Sequence, residues 1–557
     1  MLAILLMASM FCQGLSLVSY GDSFITAFPE NLGFFYPFPL WNILKVTALY
    51  DNTKITILRT NSQQDFTIQK SGQTLRVYVS NVEVNQLGFW DLSVRVTSDK
   101  NITLVSVSQR GMSTQVNVIQ PIVNLGTDYW IPLLDYPGYL ETFKLPSLVS
   151  TDMRYSSFKL LIINAVNSQN NIIVVKKTST DVEEETFSID PYKLVQLQTN
   201  GSVLRVKSSS KVAVILTHPC VETADCNCNM IMNQILPAEL QGQSFIVPSV
   251  FNVTKTMLLF TSENASTYFQ NGNQFQASPS ALVAFSDLQV SQLVNVSDRV
   301  SIRLISPGLV VEMISENSFS ACFLLQFNGP NGQAVVIAET DSKDQVSTDS
   351  GILQASEWTA IAGTIYSSTV VTIPVQYATI WHPTSKIAVY MLEQMAAKIF
   401  YGCLALPICE KPDLHGCVLA PGTYIIGPDL LNWTKSREYC VDNVNQFACP
   451  LSKSILKDMA DTLSAGDGQG WIGLRRSLLT TEWYWQDEYA SQTTLSFVHW
   501  DDGQPVDPSR GLRTSVSLDP TKGYKWKSGR CCDTKKPVCY KRPAYLIPTQ
   551  DWLAMYI

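Results

Sequence analysis

The sequence predicts a mostly β protein, an array of tandem β-sandwich-like units followed by a segment of different texture. Three observations carry this. Short runs rich in Val, Ile and Thr fill the chain from about Ser19 to Leu406: KITILRT (54–60), NITLVSVS (101–108), KLLIINAV (159–166), NIIVVKK (171–177) and KVAVILT (211–217). One strand–turn–strand pattern recurs at domain-sized intervals. After Cys403, tryptophans gather and helical spacing appears.

A chain of 557 residues exceeds one compact core, and length alone gives roughly three to five domains. The 46% hydrophobic and 16% charged residues belong to folded protein rather than disorder. A net charge of −7 gives a nucleic-acid partner no electrostatic support at whole-chain level. The opening MLAILLMASMFCQGLSLVS is apolar and then small and polar, and residues 1–16 read as a secretory signal peptide cut after Gly14 or Ser16. Met1 to Cys12 lacks the period-2 alternation of a buried first strand. No later run reaches about 18 apolar residues, so no membrane span is expected.

Cysteine usage agrees with a secreted, extracellular chain. Thirteen cysteines become twelve once Cys12 leaves, and an even number suits an oxidising compartment. Six N-x-S/T sequons, at Asn101, Asn200, Asn252, Asn264, Asn295 and Asn432, point to a glycoprotein.

The repeating pattern is VRVTSDKNITLVSV (94–107), LRVKSSSKVAVIL (204–216) and IRLISPGLVVEMI (302–314), with IWHPTSKIAVYML (380–392) a looser fourth copy. Each reads as a strand, a polar turn and a second strand. The first two are followed by similar anchors, LGTDYWIP (125–132) and LQGQSFIVP (240–248). Repetition at this spacing exceeds solenoid periods and implies tandem β units; a coincidence of hairpins is the competing reading. MLEQMAAKIF (391–400) reads as strand or short helix.

The segments SYGDSFITAFPEN (19–31), THPC (217–220) and ILPAELQGQSFIVPS (235–249) resemble the N-terminal domain of the IgGFc-binding protein family, over most of residues 19–405. The resemblance implies an extracellular binding or mucus-associated role, in mucus, innate defence or adhesion, with an immunoglobulin or mucin as a further partner. The cysteine-dense von Willebrand D modules of that family are missing, so polymerisation through them is not implied.

ALPICEKPDLHGC (405–417) reads as a linker, placed at 406–417. Beyond it lie NWTKSREYCVDN (432–443) and SILKDMADTL (454–463), two helix candidates, the second behind Ser454 as cap. WIGL (471–474), EWYWQD (482–487), FVHWDDGQP (497–505) and KWKSGRCCDTKKPVCYK (525–541) follow. In that order they resemble a C-type lectin-like domain over 418–541, leaving 542–557 as a tail. The resemblance implies a small α+β fold in which Cys440 on the first helix is tied to Cys539 on the last strand. Its second disulfide lacks a cysteine near RTSVSL (513–518), where Ser515 and Ser517 stand. Cys449 is then the candidate partner for Cys531 or Cys532, and the other of that pair is left to Cys417 or Cys409.

Sugar-binding members of the lectin family hold Ca²⁺ through a three-residue loop and a W-N-D strand, and the ion needs six to eight oxygens. Here the loop reads Gln504-Pro505-Val506 and the strand Trp526-Lys527-Ser528. Val506 offers no side-chain oxygen, Lys527 adds a cation, and Asp507 would stand alone as a carboxylate, so no metal is expected. A calcium-dependent lectin is the alternative. Lys522, Lys525, Lys527, Arg530, Lys535, Lys536 and Lys541 form a basic stretch against Asp533. It suits a glycan or glycoprotein ligand, especially an anionic one, held by Lys525, Lys527 and Arg530 with Trp526 stacking on a sugar ring. A solvated basic hairpin without function is the competing reading.

His218, Cys220, Cys226 and Cys228 have the look of a zinc cluster, but in an oxidising compartment disulfides are the expectation. None of the histidines His218, His382, His415 and His499 lies in a catalytic motif, and no cofactor and no enzymatic activity are expected. The overall expectation is a non-enzymatic recognition protein, with a structural component of a secreted matrix as the second class.

Overall fold

The computed structural model describes residues 18–549 and 552–556, apart from 34–37, 61, 146–156, 179–180, 200, 224–227, 249–255, 264–265, 271–272, 278–281, 285–290, 330–331, 356, 397–398, 445, 464–467, 487–492, 496 and 508–510. The signal-peptide segment, Cys226 and the sequons at Asn200, Asn252 and Asn264 lie outside the described residues. Of the described residues, 55% are strand and 9% helix. The protein divides into two compact units, 1–417 with 546–557, and 418–545.

The larger unit is a fourfold β repeat. In the first repeat a long strand, Val94–Arg110, lies between Leu40–Ala48 on one side and Thr53–Arg59 on the other, with Thr74–Tyr78 and Ser62–Ile68 beyond them. Tyr20–Thr26 and Ser113–Val118 also pair with it. The second repeat has the same order around Val203–Glu222, and the third around Gln292–Ser306. Helix α1 (Tyr136–Phe143) precedes the second repeat's Lys159–Asn164, its start capped by Asp135, whose carboxylate accepts from Gly138 N. The fourth repeat is two five-stranded sheets, built on Cys322–Gln326 and Gly332–Glu339.

The strand–turn–strand reading of the first two copies needs correction. VRVTSDKNITLVSV and LRVKSSSKVAVIL each lie within one unbroken strand. The polar triplets mark a bend, where pairing passes from one neighbouring strand to the other: Leu58↔Arg95 to Ile55↔Ser98 on one half, Ala48↔Ile102 to Leu40↔Arg110 on the other. In the third repeat the equivalent segment is LVNVSDRVSIRLI (293–305). IRLISPGLVVEMI is instead a real hairpin between Gln292–Ser306 and Leu309–Met313. The described residues of MLEQMAAKIF are strand, 391–396 within Ala388–Ala396 and 399–400 within Ile399–Leu404.

The anchors are the first strands of repeats, and GDSFIT belongs with them. Gly21, Gly126 and Gly242 each pair with the long strand just before a register shift. A Cβ on them would stand 2.7 Å from Pro121 Cβ, 2.5 Å from Pro237 Cβ and 2.2 Å from Ser315 Cβ, the residues that end the same repeat. Each of the first three repeats is thus closed by a glycine contact that leaves no room for a Cβ. Gly126→Val or Gly242→Val is expected to lower the stability of this unit by about 1–3 kcal/mol through overpacking. Thermal melts read the effect, and an unchanged melting temperature would show that the contact relaxes.

The four repeats close into a ring. Ser113–Val118 packs on Cys228–Gln234, that on Leu309–Met313, that on Ile399–Leu404, and the last returns to the first. Asn229 links three repeats: Oδ1 accepts from Ser113 Oγ (3.2 Å) and Thr114 N (3.0 Å), and Nδ2 donates to Gly308 O (2.9 Å). Between the first and fourth repeats, Lys45 Nζ donates to Phe327 O (2.9 Å) and Arg76 Nε to Tyr377 OH (3.2 Å). The inner strands surround a small cavity of about 50 Å³.

Cys322 is bonded to Cys417 and Cys220 to Cys228, which removes Cys417 from the partners considered for Cys531 and Cys532. His218 is fully buried and stacks on Tyr136 at 4.2 Å. The segment 406–417 begins as a strand, Leu406–Cys409, beside Cys322–Gln326. In the tail, Ala544–Tyr545 pairs with Val418–Ala420, and Trp552–Tyr556 runs parallel to Thr74–Tyr78 on the sheet of the first repeat.

Candidate functional site

The smaller unit packs two helices on a sheet. Helix α2 (Trp433–Asn443) starts at Asn432, whose Oδ1 accepts from Lys435 N (2.9 Å). That geometry leaves the Asn432 amide nitrogen available for a glycan, so capping and the sequon are compatible. Trp433, Ser436 and Cys440 face inward, and Cys440 is bonded to Cys539 in the strand Lys536–Lys541. Helix α3 (Lys453–Thr462) is capped by Ser452 rather than Ser454, because it is Ser452 Oγ that accepts from Ile455 N (3.2 Å).

The sheet carries the candidate residues. Gln469–Arg476 lies between Arg513–Ser517 and Trp483–Trp485, and Arg513–Ser517 pairs onward with Trp526–Gly529. Trp471, Trp485 and Trp526 fill the core. Ser515, where the resemblance implies a second cysteine, belongs to a polar knot: Lys535 Nζ donates to Gln469 Oε1 (2.6 Å) and Ser515 Oγ (2.9 Å), and Ser515 Oγ donates to Gln469 Oε1 (2.9 Å). The link expected from Cys449 to Cys531 or Cys532 is not formed. Cys449 is buried against Gly473, whereas Cys531 and Cys532 sit on an exposed turn.

The loop Gln504-Pro505-Val506 is tied to the strand beside it. Gln504 Oε1 accepts from Ser528 N (2.9 Å) and Ser528 Oγ (2.8 Å), and Val506 N donates to Ser528 Oγ (2.8 Å). Lys527 Nζ stands 3.2 Å from Asp501 Oδ2. That lysine and the Asp502 N–H hold the Asp501 carboxyl below its ordinary range. Asp507 is exposed.

Trp526 requires a correction: it is fully buried, packed edge-on to Trp485, Phe497 and Trp500, and offers no ring to a sugar. Strand alternation turns it inward and Lys527 outward. The basic stretch is also less free than its sequence suggests. Lys522 faces Asp519 (3.7 Å), Lys525 donates to Trp500 O (3.4 Å), Lys527 pairs with Asp501, and Lys535 points into the polar knot. Among the basic residues named, Arg530, Lys536 and Lys541 have neither an ion pair nor a side-chain hydrogen bond among the described residues, while Lys525 and Lys535 are held by neutral acceptors. The acids came from outside the stretch, where a local charge tally does not reach.

Sequence reasoning passed over three arginines. Arg475 and Arg476 end the strand that begins at Gln469, and Arg513 stands opposite Arg475 in register. Arg475 Cζ lies 5.1 Å from the Tyr484 ring, Arg513 Cζ 4.7 Å from Trp433 and Arg476 Cζ 5.7 Å from Trp483. The signal was the doubled arginine of WIGLRRS directly after a buried strand.

Residues 117–392 match the family model described as IgGFc binding protein, and residues 429–541 match the Lectin C-type domain. Human IgGFc-binding protein is 24% identical over 254 residues, which cover 44% of this chain and 4% of that protein. Among solved structures, human lithostathine is 24% identical with a TM-score of 0.19, covering 21% of this chain and 90% of its own. Herring type II antifreeze protein is 21% identical with a TM-score of 0.19, covering 22% of this chain and 92% of its own. The cow C-type carbohydrate-recognition domain of CD23 is 21% identical with a TM-score of 0.19, covering 22% and 88%. Both matched families are binding domains rather than enzymes. The chain therefore joins a β region similar to IgGFc-binding protein to a C-type lectin domain, in the manner of an extracellular binding or recognition protein.

Proposed function

We propose that the chain is a secreted glycoprotein that recognises an anionic glycan or glycoprotein without calcium, through its lectin-like unit. The observation that carries this reading is the Lys527–Asp501 ion pair (3.2 Å) beside the loop at Gln504. An ammonium group repels a divalent cation at short range, and Asp501 is already neutralised. Gln504 Oε1 accepts two hydrogen bonds from Ser528, and Val506 brings no side-chain oxygen. A six- to eight-oxygen shell does not fit these residues. Arg530 and Lys525 remain the contacts for a ligand on this face, with Lys527 shared between the ligand and Asp501.

The full chain is expected to stay on heparin resin in EDTA and to elute as salt rises through the physiological range, because exposed charge contacts are screened over roughly 8–10 Å. Mannose resin is expected not to retain it. Retention on mannose that disappears in EDTA would return the loop to the calcium lectins and make Asp507 the first residue to mutate.

The human relative is named for binding the Fc part of immunoglobulin G, and this chain matches 4% of it. An immunoglobulin or mucin partner for the β ring, in mucus, innate defence or adhesion, is a second arm of the proposal. Pull-down of immunoglobulin by the full chain tests it.

A further inference from the structure

Arg475 and Arg513 present a problem in the lectin-like unit. They occupy directly opposed positions on neighbouring strands, where like charges destabilise a sheet. Both are half-buried, and both lie over the same indole, Arg513 Cζ at 4.7 Å and Arg475 Cζ at 6.0 Å from the Trp433 centroid. Burial first, and then Arg475, hold the Arg513 guanidinium below its ordinary value. Their polar contacts are few. Arg475 donates from one terminal nitrogen to Gln486 Oε1, and Arg513 from one to Leu512 O (3.0 Å). The Nε atom of each is buried and has no hydrogen-bond partner. Among the described residues neither forms an ion pair with a carboxylate.

Two guanidinium groups kept side by side, sheltered by Trp433 and Tyr484, cost free energy unless something negative lies between them. Guanidinium is the side chain suited to this, since its planar fork matches a carboxylate or sulfate oxygen pair and its face stacks on aromatic rings. We propose that Arg475 and Arg513 form an oxyanion site, which takes a carboxylate or sulfate ester carried by the ligand. Arg476, over Trp483 on the same strand end, extends the positive field at its mouth. The inference rests on the reading of an anionic ligand but assigns it to residues outside the loop at Gln504.

The test is a melt of the full chain followed by tryptophan fluorescence, in galactose 6-sulfate, glucuronate or plain galactose at fixed ionic strength. Ligand that binds the folded form alone raises the melting temperature by mass action, by several degrees at saturation. Wild type is expected to respond to the sulfated sugar, the uronate or both, and not to galactose. The stronger of the two charged arms identifies the group. Arg513→Gln and Arg475→Gln are expected to melt no lower than wild type without ligand, because the repulsion is relieved, and to lose the response. Lys527→Ala is expected to lose heparin retention yet keep the response. An unresponsive wild type, or a response that survives in both arginine variants, overturns the site. Loss of heparin retention by neither Lys527→Ala nor Arg530→Gln would instead overturn the loop-face reading and leave this one standing. Should either glutamine variant fail to fold, Arg513→Lys, which keeps the charge and loses the fork, is expected to weaken the response at least tenfold.

Discussion

Serine at position 440 is expected to lower the stability of the lectin-like unit by about 4–5 kcal/mol on the loop-entropy account. The bond from Cys440 to Cys539 spans a sequence separation of 99, and both residues are fully buried. It joins the first helix to the last strand, so its loss frees nearly the whole unit in the unfolded state. A small α+β domain has only a modest core to set against that gain in chain entropy. In denaturant, the transition of this unit in Cys440→Ser should move to markedly lower concentration, while that of the β ring stays in place. A variant with an unmoved transition would show that the staple is dispensable.

The second large effect concerns Lys45, which is fully buried and donates a single hydrogen bond, to Phe327 O. Burial first, and then Arg76, lower its folded pKa from 10.5 to about 7, with Glu393 and Cys403 acting the other way. The unfolded amine keeps its proton up to about 10.5, so between pH 7 and 10.5 the unfolded state binds more protons. Stability therefore rises with pH across that window, and below pH 7 the full cost of burying the charge is present. That cost is on the order of 5 kcal/mol. Lys45→Met removes it, and leaves Phe327 O without a donor at about 1–3 kcal/mol. The variant should be more stable than wild type near pH 6.5 and less stable near pH 10. Melts at both pH values read the crossover, and a difference independent of pH would mean that the amine is solvated in the folded protein.

The elements that sequence revealed are those whose side chains alternate against solvent. Thr53–Arg59 and Asn170–Lys177 show that alternation and were read as strands. The inner strands were not visible in the same way. STQVNV (113–118) and CNMIMNQ (228–234) are half polar, yet every residue in them is buried. Several of their amides bond across repeats, as Gln234 Oε1 accepts from Gln120 N (3.0 Å) and Asn229 Oδ1 from Thr114 N (3.0 Å), and so polarity there signals association rather than exposure. The polar triplets at 98–100 and 208–210 misled for a related reason: a bent strand exposes its corner just as a turn does. At the site, the lectin-like elements were legible from tryptophan and cysteine spacing. The neutralising acids Asp501 and Asp519, and the opposition of Arg475 to Arg513, depend on strand pairings that no local window contains.

Closure of the ring has a consequence for how the chain matures. An open array of repeats can grow or lose a member and fold from any point, since each repeat needs only its neighbours. Here the first repeat meets the fourth, Lys45 against Phe327 and Arg76 against Tyr377. Those pairings lie about three hundred residues apart, and loop closure over such a span must precede the contacts that reward it. During synthesis the early repeats therefore wait with one flank unpaired until the last is made. Deleting a single repeat should leave an opened, aggregation-prone arc rather than a smaller version of the same protein.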